Sequence, residues 1–251
     1  MKLFGASIAV ALAVSGCSAA PPANPFKIPR ADVAARVRTI ALSPLGLPGN
    51  IEQPEAVRFH FESLVAAKLR DGGFQVVPSA EYAAIWQRAA ENIGGFYDPV
   101  SGKRSEEKIR LVRARTLREL NAKTKADALL DVALVMVKAD FTANLAEWDG
   151  MAEYVRPDGA WSVFSGPSFT GTSSALSLRV ILSDLLDADL YEHLGGVQLL
   201  SKLYGMKFVD VPRIDLFVDR ARNAHAVDAA LNPLVGKTAP PDFPPSNPSA
   251  R

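Results

Sequence analysis

The sequence predicts an α/β (α+β) fold, in which a mixed β-sheet carries its helices mainly on one face. Three observations predict it. A strand–helix–strand unit opens the folded region, segments typical of antiparallel strands follow, and a helical pattern closes it. Hydrophobic residues make up 48% of the 251 residues and charged residues 22%. This composition allows the chain to bury a sizeable core.

The opening unit is predicted from apolar spacing and from the residues that end each element. Residues 37–44 (VRTIALSP) form a first strand, which ends at Pro44 because proline cannot donate to the ladder. Pro54 suits a first helical position, and Gly72-Gly73 ends the helix that follows. Residues 74–78 (FQVVP) form a short second strand. These lengths are typical of a parallel crossover unit.

Two further helices are predicted after this unit. Ser79 and Ser105 are each suited to the N-cap position ahead of apolar residues at helical spacing. The second of these helices has a strongly basic outer face. A solvated face is the plainer interpretation, and contact with an acidic partner, anionic lipid headgroups or a glycan is the alternative. The residues of this face are Lys108, Arg110, Arg113, Arg115 and Arg118.

The second half of the chain is predicted to be mainly strands. Residues 129–138 are a long apolar strand, 144–155 a hairpin turning at Asp149-Gly150, and 176–184 an alternating strand. Residues 213–230 predict a closing helix, with Pro233 marking its end. Inward positions of that helix are predicted to be Ile214, Phe217, Val218 and Ala221.

Two tryptophans lie near predicted turns. Trp148 flanks the Asp149-Gly150 turn, and Trp161 follows the turn at residues 157–159. They are interpreted either as a docking surface for a partner or as side chains that pack the edge of the sheet.

The N-terminus has the organisation of a secretory signal that ends at a single cysteine. Lys2 supplies a positive charge, residues 3–14 are apolar but too short for a stable membrane span, and small residues lead into Cys17. This arrangement resembles the lipobox of bacterial lipoproteins. The resemblance implies cleavage after residue 16, lipidation of Cys17 and a stable membrane anchor. Because Ser18 rather than Asp follows the cysteine, it implies an outer-membrane, periplasm-facing location more than an inner-membrane one.

Four regions are predicted along the chain. Residues 1–16 are a signal peptide and 17–32 a Pro/Ala-rich tether that begins at the lipidated cysteine. Residues 33–234 are one α/β domain. Residues 235–251 are a disordered Pro-rich tail.

No recognisable constellation predicts catalysis. His60, His193 and His225 have no partners at metal-ligand spacing, and Asp184, Asp187 and Asp189 lack the glycine and distal glutamate of a calcium loop. Motifs for a serine nucleophile, a phosphate loop or dinucleotide binding are absent. The sequence therefore predicts a protein that is not an enzyme, without catalytic residues, cofactor or metal. The balance of 28 Lys and Arg against 27 Asp and Glu argues against nucleic acid.

The element order resembles a group of envelope proteins that share the fold of the amino-terminal domain of the Tol-system propeller protein. The group includes the curli-secretion channel lipoprotein and the lipoprotein activators of penicillin-binding proteins. Four segments carry the resemblance: VRTIALSP, KLRDGGFQVVPS, ALLDVALVMVK and LSLRVILSDLLDADLYE. The resemblance implies protein binding or assembly without catalysis.

Three functions remain open from the sequence. The first is a non-catalytic adaptor or accessory factor in envelope assembly or maintenance, with an envelope protein as partner. The second is a subunit of an oligomeric secretion channel, which leaves a homo-oligomer possible. The third is a hydrolase or glycan-binding protein without a recognisable motif.

Overall fold

A seven-stranded mixed sheet organises the fold. The computed structural model describes residues 24–49, 51–98, 101–156, 170–205 and 207–237. The strands run in the order β2-β1-β3-β4-β5, and β6 pairs with both β3 and β7. A separate two-stranded sheet joins β8 and β9. The strands are β1 (Thr39–Leu42), β2 (Gln75–Val77), β3 (Ala128–Thr142), β4 (Leu145–Trp148), β5 (Met151–Tyr154), β6 (Thr170–Asp184), β7 (Asp189–Leu199), β8 (Ser201–Tyr204) and β9 (Lys207–Asp210).

Helices cover both faces of the sheet, and most of them lie on one. Helices α1, α2 and α5 pack on one face, where they share a core cluster with alternate residues of β3 and β6. Helices α3 and α4 pack over β1 and the start of β3 on the other face. The predicted mixed α/β class is confirmed. The helices are α1 (Arg30–Arg36), α2 (Pro54–Asp71), α3 (Ser79–Ile93), α4 (Glu106–Thr124) and α5 (Arg220–Val235).

The opening crossover unit forms as the sequence predicts. Strand β1 pairs in parallel with β2 on one side and with β3 on the other. Pro54 is the first residue of α2, and Gly73, with φ of +87°, follows its end in the left-handed region. The Ser105 Oγ accepts a hydrogen bond from the Lys108 backbone N–H and caps α4. Ser79 does not cap α3, since its hydroxyl donates to Glu62 instead.

Strand β3 lies at the centre of the sheet and, with β6, is one of its two 15-residue strands. Its whole length pairs antiparallel with β6, from Ala128 opposite Asp184 to Thr142 opposite Thr170. The opposite edge of β3 is divided, with β1 beside its first residues and β4 beside its last. Leu130, in the β1 pairing, faces α2 and α5, while its neighbour Leu129 faces α3 and α4. The pleat therefore makes β3 part of two cores.

The β4–β5 hairpin folds back over β7. Its turn at Asp149-Gly150 is the predicted one, and the Asp149 carbonyl accepts a hydrogen bond from the Gly196 N–H at 2.8 Å. A Cβ on Gly196 would lie 2.4 Å from the Met151 Cβ, so only glycine permits this approach. The hairpin thereby closes a second core cluster between β3, β5 and β8.

The C-terminal part corrects the sequence prediction. A 3₁₀ turn (Arg213–Asp215) precedes α5, which begins at Arg220 and continues through Pro233 to Val235. Ile214 and Val218 are exposed rather than inward, because the residues before Asp219 are not part of a helix. Asp219 begins α5 by accepting from the Arg222 N–H. Ala221 is exposed as well.

Part of the region assigned from sequence to the tether packs against the domain. The Lys27 N–H donates to the Leu190 carbonyl and the Glu192 N–H to the Pro25 carbonyl, both at 2.9 Å. The Phe26 ring lies edge-on to Tyr191, with centroids 5.0 Å apart. Packed structure therefore begins before Val33. The predicted signal peptide, Cys17, Trp161 and residues 238–251 lie outside the described residues.

Candidate functional site

The basic face predicted on α4 divides in two. Arg110, Arg115 and Arg118 are exposed and form no salt bridge within the part of the chain that the structure describes. Arg113 instead turns towards the sheet, with Nη2 2.8 Å from Asp131 Oδ2 and Nε 2.6 Å from Asp187 Oδ1. Three of the four predicted arginines are thus available for contact, and Arg113 is held in place by two carboxylates.

The sequence leaves Trp148 either as part of a docking surface or as a side chain that packs the edge of the sheet. In the structure it packs. It is 8% exposed and belongs to the core cluster beneath the β4–β5 hairpin. Its Nε1 donates to the Leu176 carbonyl at 3.3 Å. The side chain therefore offers little surface to a partner.

A groove of 480 Å³ lies between α3 and the uncovered part of the sheet. Its floor is the face of β3 and β6 that α3 and α4 leave open, and one wall is the loop that follows β1. The residues that line it are Ser43, Pro44, Gly46, Tyr82, Ala83, Trp86, Arg113, Asp131, Val132, Ala133, Arg179 and Ile181.

The floor follows from strand alternation. Leu129 lies beneath α3 and α4, and the next residues on the same face of β3 are Asp131 and Ala133, which are half-buried. In β6, Ile181 pairs with Asp131 and Arg179 with Ala133, so these four side chains share one patch of the sheet. Since no helix covers this patch among the described residues, it remains open to a ligand.

The helical wall of the groove is aromatic. Tyr82 and Trp86 are four residues apart on α3, and their rings stack at 6.0 Å with an interplanar angle of 26°. Phe96 continues the stack, 5.9 Å beyond Trp86 at the same angle. Burial raises the pKa of the Tyr82 hydroxyl, and the nearby Asp131 carboxylate adds to this rise. The Tyr82 hydroxyl is therefore neutral at neutral pH.

The charged groups of the groove are satisfied within the protein. Burial alone would lower the pKa of Arg113, but hydrogen bonds to Asp131 and Asp187 outweigh it and raise the pKa. Arg179 donates to Glu192 Oε1 from Nη2 at 2.6 Å and from Nε at 2.9 Å. That hydrogen-bonded pairing lowers the pKa of Glu192. The groove thus presents paired charges rather than an isolated cation or anion.

The histidines do not line this groove. His60 lies between α2 and α5, with Nε2 3.2 Å from Asn223 Nδ2 and Nδ1 3.5 Å from Arg220 Nη1. His225 Nε2 is 2.8 Å from the Gly150 carbonyl oxygen. Burial lowers the pKa of His60, with a further contribution from Arg220, and burial also lowers the pKa of His193. Each ring is placed by local packing.

Each carboxylate in the acidic turn between β6 and β7 has a different partner. Asp184 Oδ1 accepts from the backbone N–H groups of Leu186 and Ala188, both at 2.9 Å, while Asp189 accepts from Ser183. Asp187 pairs with Arg113. Across the described ranges, no three His, Cys, Asp or Glu side chains come together as a metal-binding group.

The sequence does not predict the groove. Helical spacing places Tyr82 and Trp86 on the inner face of α3, which is correct for contact with α4 and the sheet but does not reveal the open side. The signal that points towards it is Asp131, a charged residue between apolar residues in the first half of β3. A buried strand tolerates such a residue where a partner such as Arg113 faces it.

Comparisons with known proteins identify no family. No family model matches the chain, and no curated protein matches it. Lipoprotein GNA1162 from Neisseria meningitidis is similar over 64% of this chain and 82% of its own, at 16% identity and a TM-score of 0.31. A variant PelC dodecamer from Paraburkholderia phytofirmans is similar over 79% of this chain and 90% of its own, at 13% identity and a TM-score of 0.34. Both TM-scores are too low to establish a shared fold.

Proposed function

We propose that this protein is a lipid-anchored, periplasm-facing adaptor of the bacterial envelope, without catalytic activity, whose groove binds an extended segment of a partner protein. The observation that carries the proposal is the combination of an open, aromatic-walled groove with charges that are already paired inside the protein. Such a surface recognises its ligand through apolar burial and neutral hydrogen bonds. An extended polypeptide segment supplies both.

The protonation properties of the groove support binding rather than acid–base catalysis. A general acid or base works best when its pKa lies near the working pH. The pKa of Tyr82 and that of Arg113 are both shifted upward, away from neutrality. Asp131, the carboxylate on the floor, is held by Arg113 at 2.8 Å. These groups therefore suit a fixed recognition surface.

The anchor in this proposal is Cys17. No helix among the described residues has the length and apolarity to cross a membrane. A lipidated cysteine supplies membrane attachment without such a helix. The outer membrane is proposed as the location because Ser18 follows Cys17.

A glycan is the second candidate ligand. Sugar rings present apolar C–H faces that pack on aromatic side chains, and the Tyr82–Trp86 stack gives the groove such a wall. The paired Arg179 and Glu192 beside it offer charged hydrogen-bonding groups to hydroxyls. The glycan and the extended protein segment would bind in the same groove, so the two candidates differ only in the ligand.

Site-specific photo-crosslinking in intact cells tests the proposal. A benzophenone side chain at Ala83, which lines the groove, is compared with one at Ala84, which is exposed on the same helix outside the lining. We expect the Ala83 variant to capture an envelope protein that the Ala84 variant does not. The product should disappear in Cys17→Ala and weaken in Trp86→Ala.

Other results decide against the adaptor. Self-crosslinks alone from Ala83 would favour an oligomeric channel subunit. No protein product, together with retention of the purified protein on immobilised envelope glycans, would favour the glycan candidate. Thermal unfolding of both benzophenone variants checks that the fold is intact.

A further inference from the structure

A second cavity lies at the end of the domain where the chain enters the fold. It has a volume of 240 Å³ and opens between α1, the end of α2 and the end of α5. Phe26, Val33, Phe74 and Val235 give it an apolar lining, while Arg30 and Arg38 place guanidinium groups at it. Apolar side chains beside two cations suit a ligand that is anionic at one end and apolar at the other.

Close packing fixes the shape of this cavity. A Cβ on Gly72 would lie 2.6 Å from the Val235 Cγ1, so glycine allows the end of α2 to approach the end of α5. Gly236 ends α5 with φ of +83°, and a Cβ there would lie 2.6 Å from Arg30 Nη2. The Arg30 guanidinium therefore lies against the C-terminus of α5, where the helix dipole favours a positive charge.

Neither arginine is neutralised by an ion pair. Arg30 and Arg38 are exposed, and within the described ranges neither lies within salt-bridge distance of a carboxylate. Two acidic residues are near them in the chain or the fold. Asp32 lies in the first turn of α1, and Asp127 Oδ2 accepts from the Arg38 backbone N–H at 2.8 Å. The carboxylate of Asp127 thus accepts from the backbone, and within the described ranges neither guanidinium is held by a carboxylate.

The cavity lies close to the proposed anchor. Phe26 lines it, and Asn24 is two residues before Phe26. The chain between Cys17 and Asn24 spans at most about 25 Å when fully extended. The step that follows rests on the proposed function, because it takes Cys17 as the lipidated residue. A bilayer that holds Cys17 then lies within reach of this end of the domain.

We propose that this cavity binds the phosphate-bearing headgroup of an anionic lipid in the membrane that holds the anchor. Arg30 and Arg38 contact the phosphate, and the apolar lining contacts the glycerol and the first methylenes. The domain is thereby held against the bilayer in one orientation, with the groove beside α3 left open. The exposed arginines of α4 remain the alternative lipid contact that the sequence allows.

Vesicle binding of the acyl-free full chain tests this inference. The mature protein carrying Cys17→Ser is mixed with vesicles of phosphatidylcholine alone or with phosphatidylglycerol added. We expect phosphatidylglycerol to increase binding and salt to reduce it. Arg30→Gln/Arg38→Gln should weaken that binding about thirty-fold, the loss expected for two arginines at about 1 kcal/mol each. Arg110→Gln/Arg118→Gln removes the same charge from α4 and should change it less than about three-fold.

Two results would overturn the inference. One is wild-type binding that does not respond to phosphatidylglycerol, and the other is an equal loss in both double variants, which indicates diffuse charge attraction. Incorporation of labelled palmitate at Cys17 in cells tests the anchor separately. Labelled protein with no phosphatidylglycerol response rejects the lipid site alone, whereas absence of label with a retained phosphatidylglycerol response rejects the anchor alone.

Discussion

Glu153 and Arg222 form a buried ion pair that joins β5 to α5, with Oε2 and Nη1 2.9 Å apart. The Glu153 side chain is 3% exposed and also binds Lys202 Nζ at 2.8 Å. Its Oε2 accepts in addition from the Leu199 N–H. One carboxylate therefore connects the hairpin, β7, β8 and the closing helix.

Removing one partner of this pair should destabilise the protein strongly. Arg222→Met leaves Glu153 buried with less compensation, and we expect a loss of about 3–5 kcal/mol in the free energy of unfolding by urea. Arg104→Met is the matched control, because both side chains of its pair with Glu106 are largely solvent-exposed. The control substitution should lower the free energy of unfolding by less than about 1 kcal/mol. A small loss for Arg222→Met would show that the remaining contact with Lys202 is enough to compensate the buried Glu153 carboxylate.

A methyl group at Gly195 should separate α5 from β7. A Cβ there would lie 1.9 Å from the Ala226 carbonyl oxygen, and neither atom belongs to a side chain that can rotate away. We expect Gly195→Ala to lower the free energy of unfolding by more than about 3 kcal/mol. Gly49→Ala, where no atom lies within 4 Å, serves as the control and should be close to wild type. Equal unfolding midpoints would contradict the described packing of α5.

Truncation of the aromatic wall should abolish ligand capture while the fold is retained. Trp86→Ala removes the ring that lies between Tyr82 and Phe96, and we expect crosslinking from Ala83 to fall at least about ten-fold. Phe59→Ala removes an aromatic side chain that is 77% exposed outside the groove, and it should leave capture unchanged. Circular dichroism and thermal unfolding of both variants separate loss of contact from loss of fold. Undiminished capture in Trp86→Ala would remove the groove from the proposal.

Acidification should weaken the fold through two histidines. The pKa values of His60 and His193 are lowered in the folded state from the ordinary 6.5, so the unfolded chain binds protons more readily. Stability is therefore complete above about pH 7 and falls as the pH drops through the unfolded value. We expect His60→Gln/His193→Gln to flatten this dependence between about pH 7 and pH 5. Urea unfolding midpoints measured across this range test the prediction. If the double variant loses stability with falling pH as steeply as wild type does, groups other than these two histidines cause the loss.

Local patterns predict the first half of the fold well. Pro54, Gly73 and Ser105 act at helix ends through their own backbone or side-chain chemistry, so their roles are visible without tertiary information. The same holds for Asp149-Gly150 at the hairpin turn. These residues mark where helices begin or end and where the hairpin turns.

Long-range contacts account for what the sequence does not reveal. Ile214 and Val218 have helical spacing, but Phe217 between them adopts φ of +65°. Its N–H donates to Gln198 Oε1 and its carbonyl accepts from Asn223, and these contacts fix a non-helical backbone. Arg113 likewise shares its helix with exposed arginines, and only the positions of Asp131 and Asp187 turn it inward. The groove depends on such pairings across the sheet.

The pairing of residues 25–27 with β7 has a mechanical consequence. In an anchored protein, tension from the membrane reaches the domain at Asn24 and meets the Lys27–Leu190 and Glu192–Pro25 hydrogen bonds first. These two bonds and the Phe26–Tyr191 ring contact pass that load to β7, and they are the first contacts between the entering chain and the main sheet. Detachment of residues 25–27 would therefore lengthen the tether of an anchored protein without unpairing the strands of the sheet from one another.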